Sequence, residues 1–140
     1  MKQADIGLIG LAVMGENLAL NMESKGFTVA VYNLIPEVHV KNFIEGRGKG
    51  KKFIPCYSLE EMVKNLQRPR KIMMMIRAGS PVDEVMGQLI PLLEEGDILI
   101  DGGNSHFPDT ARRVELAETK GLLYIGTGVS GGEEGALKGP

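Results

Sequence analysis

The sequence has no tryptophan, only three tyrosines and four phenylalanines, and a single cysteine, Cys56. One thiol cannot close an intrachain disulfide, so the fold must stand without cross-links and a reducing compartment is implied. So few aromatics also leave no stacking platform for single-stranded nucleic acid. An excess of one charge is missing too: Lys+Arg 16 against Asp+Glu 18 gives a net charge of -2, without the basic footprint of a nucleic-acid binder. No hydrophobic run is long enough to span a membrane, and Met1 to Asp5 lacks the apolar stretch of a signal peptide. His39 and His106 stand alone, so no metal-ligand cluster is expected. These absences point to a soluble cytoplasmic protein with neither a nucleic-acid nor a membrane partner.

What the chain does have is glycine, 19 in 140 residues. Many of these collect at the ends of apolar runs, which marks tight strand-to-helix turns rather than general flexibility. The length suits one domain able to bury a real core. The pattern predicts a strand at Ile6–Ile9, a helix at Met14–Lys25 stopped by Gly26, and a strand at Thr28–Tyr32. A short helix over Glu37–Glu45 after Pro36 and a weak strand at Phe53–Cys56 follow. Ser58-Leu59-Glu60-Glu61 forms a capping box opening a helix through about Leu66. Lys71–Ile76 is the next strand, and Ser80-Pro81 starts a helix with proline at its first position. The last elements are a strand at Ile98–Asp101, a helix over Pro108–Lys120 closed by Gly121, and a strand at Leu122–Gly126.

Strict alternation of strand and helix predicts an α/β fold, with βαβ units forming a doubly wound, mostly parallel sheet of Rossmann type. The near-continuous apolar strands fit a sheet covered on both faces. Because Gly139-Pro140 follows directly on a glycine-rich loop, the domain is expected to be incomplete on its C-terminal side.

Three loops could carry chemistry. Gly10-Leu11-Ala12-Val13-Met14-Gly15 joins the first strand to the first helix, where a dinucleotide fingerprint places its pyrophosphate at a helix N-terminus. Ala12 replaces the middle glycine of that motif. At the end of the second strand, Asn33 stands where an acidic residue usually holds the adenosine ribose; an ordinary Asx turn explains Asn33 equally well. Asp101-Gly102-Gly103-Asn104-Ser105 and Thr127-Gly128-Val129-Ser130-Gly131-Gly132-Glu133-Glu134-Gly135 end two later strands on the same expected edge. Gly46-Arg47-Gly48-Lys49-Gly50-Lys51-Lys52 superficially looks like a phosphate loop, but its spacing is wrong and no Ser or Thr follows the lysine; a solvated basic loop is the simpler reading. Met73-Met74-Met75 and Cys56 read as core.

Taken together, Gly10-Leu-Ala-Val-Met-Gly15, Asp101-Gly-Gly-Asn-Ser105 and Gly128-Val-Ser-Gly-Gly-Glu-Glu-Gly135 resemble the signatures of 6-phosphogluconate dehydrogenases, in order and at matching spacing. The likeness runs the length of the chain, through Arg68-Pro69-Arg70-Lys71 and Ala78-Gly79. The related β-hydroxyacid dehydrogenases, with a looser Ser-Gly-Gly, are the runner-up; a non-catalytic dinucleotide-binding module is a third reading.

The resemblance implies a cofactor domain over residues 1–140 of an oxidoreductase of the pentose phosphate pathway. That enzyme oxidises 6-phosphogluconate with NADP, decarboxylates it to ribulose 5-phosphate and works as a homodimer. By the same resemblance Gly10, Leu11, Ala12, Val13, Met14 and Gly15 bind pyrophosphate, and Asn33, Leu34 and Ile35 the adenosine ribose. Ile76, Arg77 and Ala78 line a further stretch of cofactor. Asn104 touches nicotinamide and substrate, and Ser130, Gly131 and Gly132 bind substrate. The family's catalytic lysine and glutamate and its large helical domain fall beyond residue 140, so no catalytic residue is expected in this chain. Two positions depart from the pattern. Leu34 and Ile35 replace the family's Arg and Thr or Ser, which removes the partner of the NADP 2′-phosphate and opens NAD as an alternative. Arg77 replaces the usual lysine and keeps its charge.

Overall fold

The computed structural model describes residues 3–33, 36–77, 79–103 and 107–126. They form β1 (Ile6–Ile9), α1 (Val13–Ser24), β2 (Val29–Tyr32), α2 (Pro36–Glu45), β3 (Phe53–Pro55) and α3 (Leu59–Lys64). The chain continues through β4 (Lys71–Met74), α4 (Ser80–Leu89) with a 3-10 turn at Ile90–Leu92, β5 (Ile98–Asp101), α5 (Phe107–Thr119) and β6 (Leu123–Gly126). All five strand pairings in the sheet are parallel, in the order β3-β2-β1-β4-β5-β6. The expected Rossmann-type α/β fold is therefore present.

Alternation along each strand sends neighbouring side chains to opposite faces, and two separate cores result. Leu8, Val29 and Val31 pack on one face with Ala19 of α1 and Val40 and Phe43 of α2, where Phe43 meets Phe53 edge-on at 4.9 Å between ring centroids. Ile9, Ala30, Ile72, Met74 and Leu99 pack on the other with α3, α4 and the end of α5. Met74 and Cys56 are fully buried, as a core reading requires, while Met73 and Met75 sit at the margin of the first core. Beyond β5 the first face loses its cover among the described residues: Leu123 and Ile125 are about half exposed.

Several boundaries differ from the sequence pattern, each for a tertiary reason. Helix α3 stops at Lys64 because Leu66 leaves it to bridge Ala4, with Ala4 N–H donating to the Asn65 carbonyl at 2.7 Å. Strand β4 stops at Met74, two residues early, because the backbone of Met75 turns against Gly10. Gly79 is the N-cap of α4, so Pro81 occupies the second helical position rather than the first. Gly26 and Gly121 follow α1 and α5 with φ of 99° and 74°, as helix stops should.

The register decides where the loops go. Ile9 pairs with Tyr32 and Met74, Met74 with Asp101, and Asp101 with Gly126. Five strand ends are thus level, and the described segments that follow β1, β2, β4 and β5 leave from one edge. The chain winds outward in opposite directions from β1 and from β4, so a crevice opens between the loops after those two strands.

Other basic residues lie away from that edge. Arg68 pairs with Glu94 at 2.5 Å, and Arg70 with the buried Asp97 at 3.2 Å, at the amino ends of the strands. The Gly46–Lys52 loop is not simply solvated: the Arg47 guanidinium pairs with Glu16 at 3.0 Å and donates to Asn17 of α1.

Candidate functional site

The β1–α1 turn is built around two close backbone approaches. Gly10 has φ of 108°, and a Cβ there would collide with the carbonyl oxygen of Met75. A Cβ at Gly15 would collide with the carbonyl oxygen of Gly10 itself. Glycine is required at both, for conformation at the first and for space at the second. Ala12 is the N-cap of α1, in extended conformation (φ -76°, ψ -178°), and offers no side chain to cap the helix. The first N–H groups of a helix have no intrahelical acceptor and carry the positive end of its dipole. Here they lie at the switch point of the sheet.

A cavity of about 450 Å³ opens at that point, lined by Gly10, Leu11, Ala12, Asn33, His39, Met75, Ile76, Arg77 and Pro81. Six of the residues expected at a cofactor are therefore brought together, Gly10, Leu11, Ala12, Asn33, Ile76 and Arg77, from the three segments that follow β1, β2 and β4. Val13, Met14 and Gly15 form the first turn of α1 directly behind them. Arg77 and His39 bring positive or ionisable nitrogen to the wall, and no carboxylate lines it among the described residues. Leu34, Ile35, Ala78, Asn104, Ser130, Gly131 and Gly132 lie outside the described residues. A second cavity of about 520 Å³ lies at the amino ends of β1 and β4, bounded by Asp5, Met22, Phe27, Arg68 and Lys71; open α/β sheets bind their ligands at the opposite edge.

His39, Met75 and Pro81 are wall residues that the sequence pattern does not single out. For His39 a signal existed: it lies in the first part of α2, the helix that follows Asn33.

Behind the wall lies a cluster of charged groups. Gly103 N–H donates to Asp101 Oδ1 at 2.9 Å, and Tyr124 Oη donates to Asp101 Oδ2 at 3.1 Å. Arg113 is fully buried. Its Nε donates to Asp83 Oδ1 at 2.9 Å, its Nη2 donates to the Gly79 carbonyl at 3.0 Å, and its Nη1 stands 3.7 Å from Asp101 Oδ2. Arg113 Nη2 also donates to Asp83 Oδ2 at 3.3 Å, and Arg112 donates to the same oxygen at 3.1 Å. Hydrogen bonds from Arg113 and then Arg112 hold the Asp83 carboxyl down at about 2. Burial, then the neighbouring Asp101 carboxylate, pushes the Tyr124 hydroxyl up; it remains a donor at any ordinary pH.

Residues 5–140 match the family described as the NAD binding domain of 6-phosphogluconate dehydrogenase. The chain belongs to that family. It is a nicotinamide-dinucleotide-binding domain, as the glycine turn, the uncapped helix and the crevice suggest independently. The chain is similar to the decarboxylating 6-phosphogluconate dehydrogenase of Dictyostelium discoideum, 62% identical over 99% of this chain and 28% of the relative. It is similar to that of Treponema pallidum, 60% identical over 98% of this chain and 28% of the relative. Among solved structures it resembles the Plasmodium falciparum 6-phosphogluconate dehydrogenase, described with NADP+ as its cofactor and 6-phosphogluconate as its substrate. That likeness has a TM-score of 0.87 and 43% identity, over 95% of this chain and 28% of the other. The chain thus spans a little over a quarter of the length of these relatives. No helix among the described residues is long and apolar enough to cross a membrane.

Proposed function

We propose that the crevice holds the adenosine and pyrophosphate of NADP, and that the chain serves as the cofactor domain, residues 1–140, of a homodimeric 6-phosphogluconate dehydrogenase. The observation that carries this is the uncapped N-terminus of α1 facing a cavity whose only described ionisable lining groups are His39 and Arg77. The residues fit the group: glycine at positions 10 and 15 lets the turn close tightly on the Met75 and Gly10 carbonyls, which brings the N-terminus of α1 to the cavity. The backbone N–H groups of Val13, Met14 and Gly15 would donate to the pyrophosphate, with Leu11 and Ala12 against it. Asn33, with Leu34 and Ile35, would meet the adenosine ribose. Ile76, Arg77 and Ala78 would follow the cofactor across the switch point. Asn104 would lie at the junction of nicotinamide and substrate, and Ser130, Gly131 and Gly132 would bind 6-phosphogluconate. When bound, the nicotinamide supplies the hydride acceptor for the substrate alcohol.

Oxidation of that alcohol also needs a base at its hydroxyl, and decarboxylation an acid for the enediol. Neither is assigned to residues 1–140, and general acid–base groups typically contribute about 10²–10⁴-fold each. This chain alone should therefore bind dinucleotide in a calorimeter yet give no NADPH from 6-phosphogluconate. Steady turnover by residues 1–140 would refute the division of labour; no binding of NADP or NAD would refute the site.

Preference for NADP rests on Arg77 and His39, since Leu34 brings no charge to the 2′-phosphate. Discrimination against NAD is accordingly weaker here than in relatives with an arginine at that position.

A further inference from the structure

Arg113 does not line the cavity, and it is completely buried. Burying a guanidinium is costly unless its directional bonds are satisfied, and an apolar side chain often fills such a space at no loss of stability. What an apolar side chain could not do is tie named backbone groups together. The bonds of Arg113 reach the end of the β4–α4 loop through the Gly79 carbonyl, the first turn of α4 through Asp83, and the end of β5 through Asp101. The other oxygen of Asp101 holds the N–H of Gly103. The two loops also touch directly: a Cβ at Gly103 would lie 2.5 Å from the Ile76 carbonyl oxygen.

We infer that Arg113, acting with Asp101 and Tyr124, is a positioning residue that couples the loop after β4 to the loop after β5, so that the two halves of one dinucleotide are presented at a fixed spacing. This rests on the crevice being a dinucleotide site. A ligand spanning both loops senses the coupling; a ligand confined to the adenosine side does not. The effect of loosening the cluster is therefore a split between whole and half ligands, which a general loss of stability would not produce.

The test compares calorimetric Kd values for NADP and for its adenosine half, 2′,5′-ADP, on this chain and on the Asp101→Asn, Arg113→Lys and Tyr124→Phe variants. Melting temperature is recorded for each. Asp101→Asn and Arg113→Lys should weaken NADP about two- to thirtyfold while moving 2′,5′-ADP less than about twofold, the range seen for residues that couple sites without touching the ligand. Tyr124→Phe removes a single hydroxyl and keeps the ring in the core, so it folds if the others do not; it should show the same split at smaller size. Equal weakening of both ligands, or no change in either on folded variants, would overturn the inference and leave the dinucleotide site standing. Failure of the unaltered chain to bind NADP or 2′,5′-ADP would overturn the site and the inference together.

Discussion

Ala12 is the position at which fold and ligand can be set against each other. It is the N-cap of α1, its conformation is that of a normal cap, and its exposed side chain makes no capping bond. Aspartate there would accept from the N–H of Met14 or Gly15, a change worth about 0.5–2 kcal/mol in favour of the folded state. The same carboxylate would sit where the pyrophosphate is proposed to bind, competing for those N–H groups and repelling its charge. Two unit charges about 4 Å apart interact by about 4 kcal/mol at an effective dielectric constant near 20. Halving that for salt and local adjustment leaves about 2 kcal/mol, or about thirtyfold in Kd. Ala12→Asp should thus melt a few degrees higher than the unaltered chain and bind dinucleotide at least about thirtyfold more weakly. Ala12→Asn, a cap without the charge, should share the stability gain and lose less affinity. The assays are thermal melting by circular dichroism and calorimetric titration with NADP and NAD. Undiminished binding by a folded Ala12→Asp chain would remove the helix terminus from the site. Gly15 does not permit this test, because any side chain there collides with the Gly10 carbonyl and breaks the turn.

Three further outcomes are expected. Leu34→Arg should tighten NADP relative to NAD, and Arg77→Ala should weaken it, by about one to two decades for a charge-assisted phosphate contact worth about 1.5–3 kcal/mol; paired NADP and NAD titrations giving unchanged ratios would refute the assignment of charge. Asp83 has a folded value of about 2 against an ordinary 3.8, so its contribution is present above pH 4 and lost as pH falls toward 2. Denaturation curves should show Asp83→Asn less stable at neutral pH but losing less over that interval, and parallel curves would contradict the ion pair. The Cys56 thiol is pushed up to about 12 by burial and, secondarily, by Glu61. At pH 8 only about 10⁻⁴ of it is thiolate, so a thiol reagent should label it at the rate of unfolding; rapid native labelling would contradict its burial.

The sheet was legible in the sequence because a parallel strand buried on both faces leaves a short apolar run, and each run here ends in a glycine-rich or polar turn. Boundaries that depend on distant partners were not legible. Nothing local at Leu66 announces its bridge to Ala4, and nothing at Met75 announces the approach of Gly10. At the site, the turn residues Gly10 to Gly15 and Asn33 could be read from strand ends, whereas Ile76 and Arg77 came only from the family resemblance. His39 and Pro81 reach the wall from α2 and α4, and only the packing of those helices brings them there. The Arg113 cluster is the extreme case: Arg113 and Asp83 lie 30 positions apart, and no sequence period relates them.

The way Gly10, Met75, Ile76 and Gly103 pack carries a consequence for how such a site can change. Peptide groups, rather than side chains, meet at the centre of the crevice, so substitution has almost nothing to act on there except to break it. Freedom to vary is left to the rim, at Ala12, His39 and Arg77, whose replacements alter what is recognised without altering how the strands end. A designer seeking a different cofactor would therefore edit those three positions and leave the peptide stack alone, and a lineage drifting between NADP and NAD has the same short list available to it.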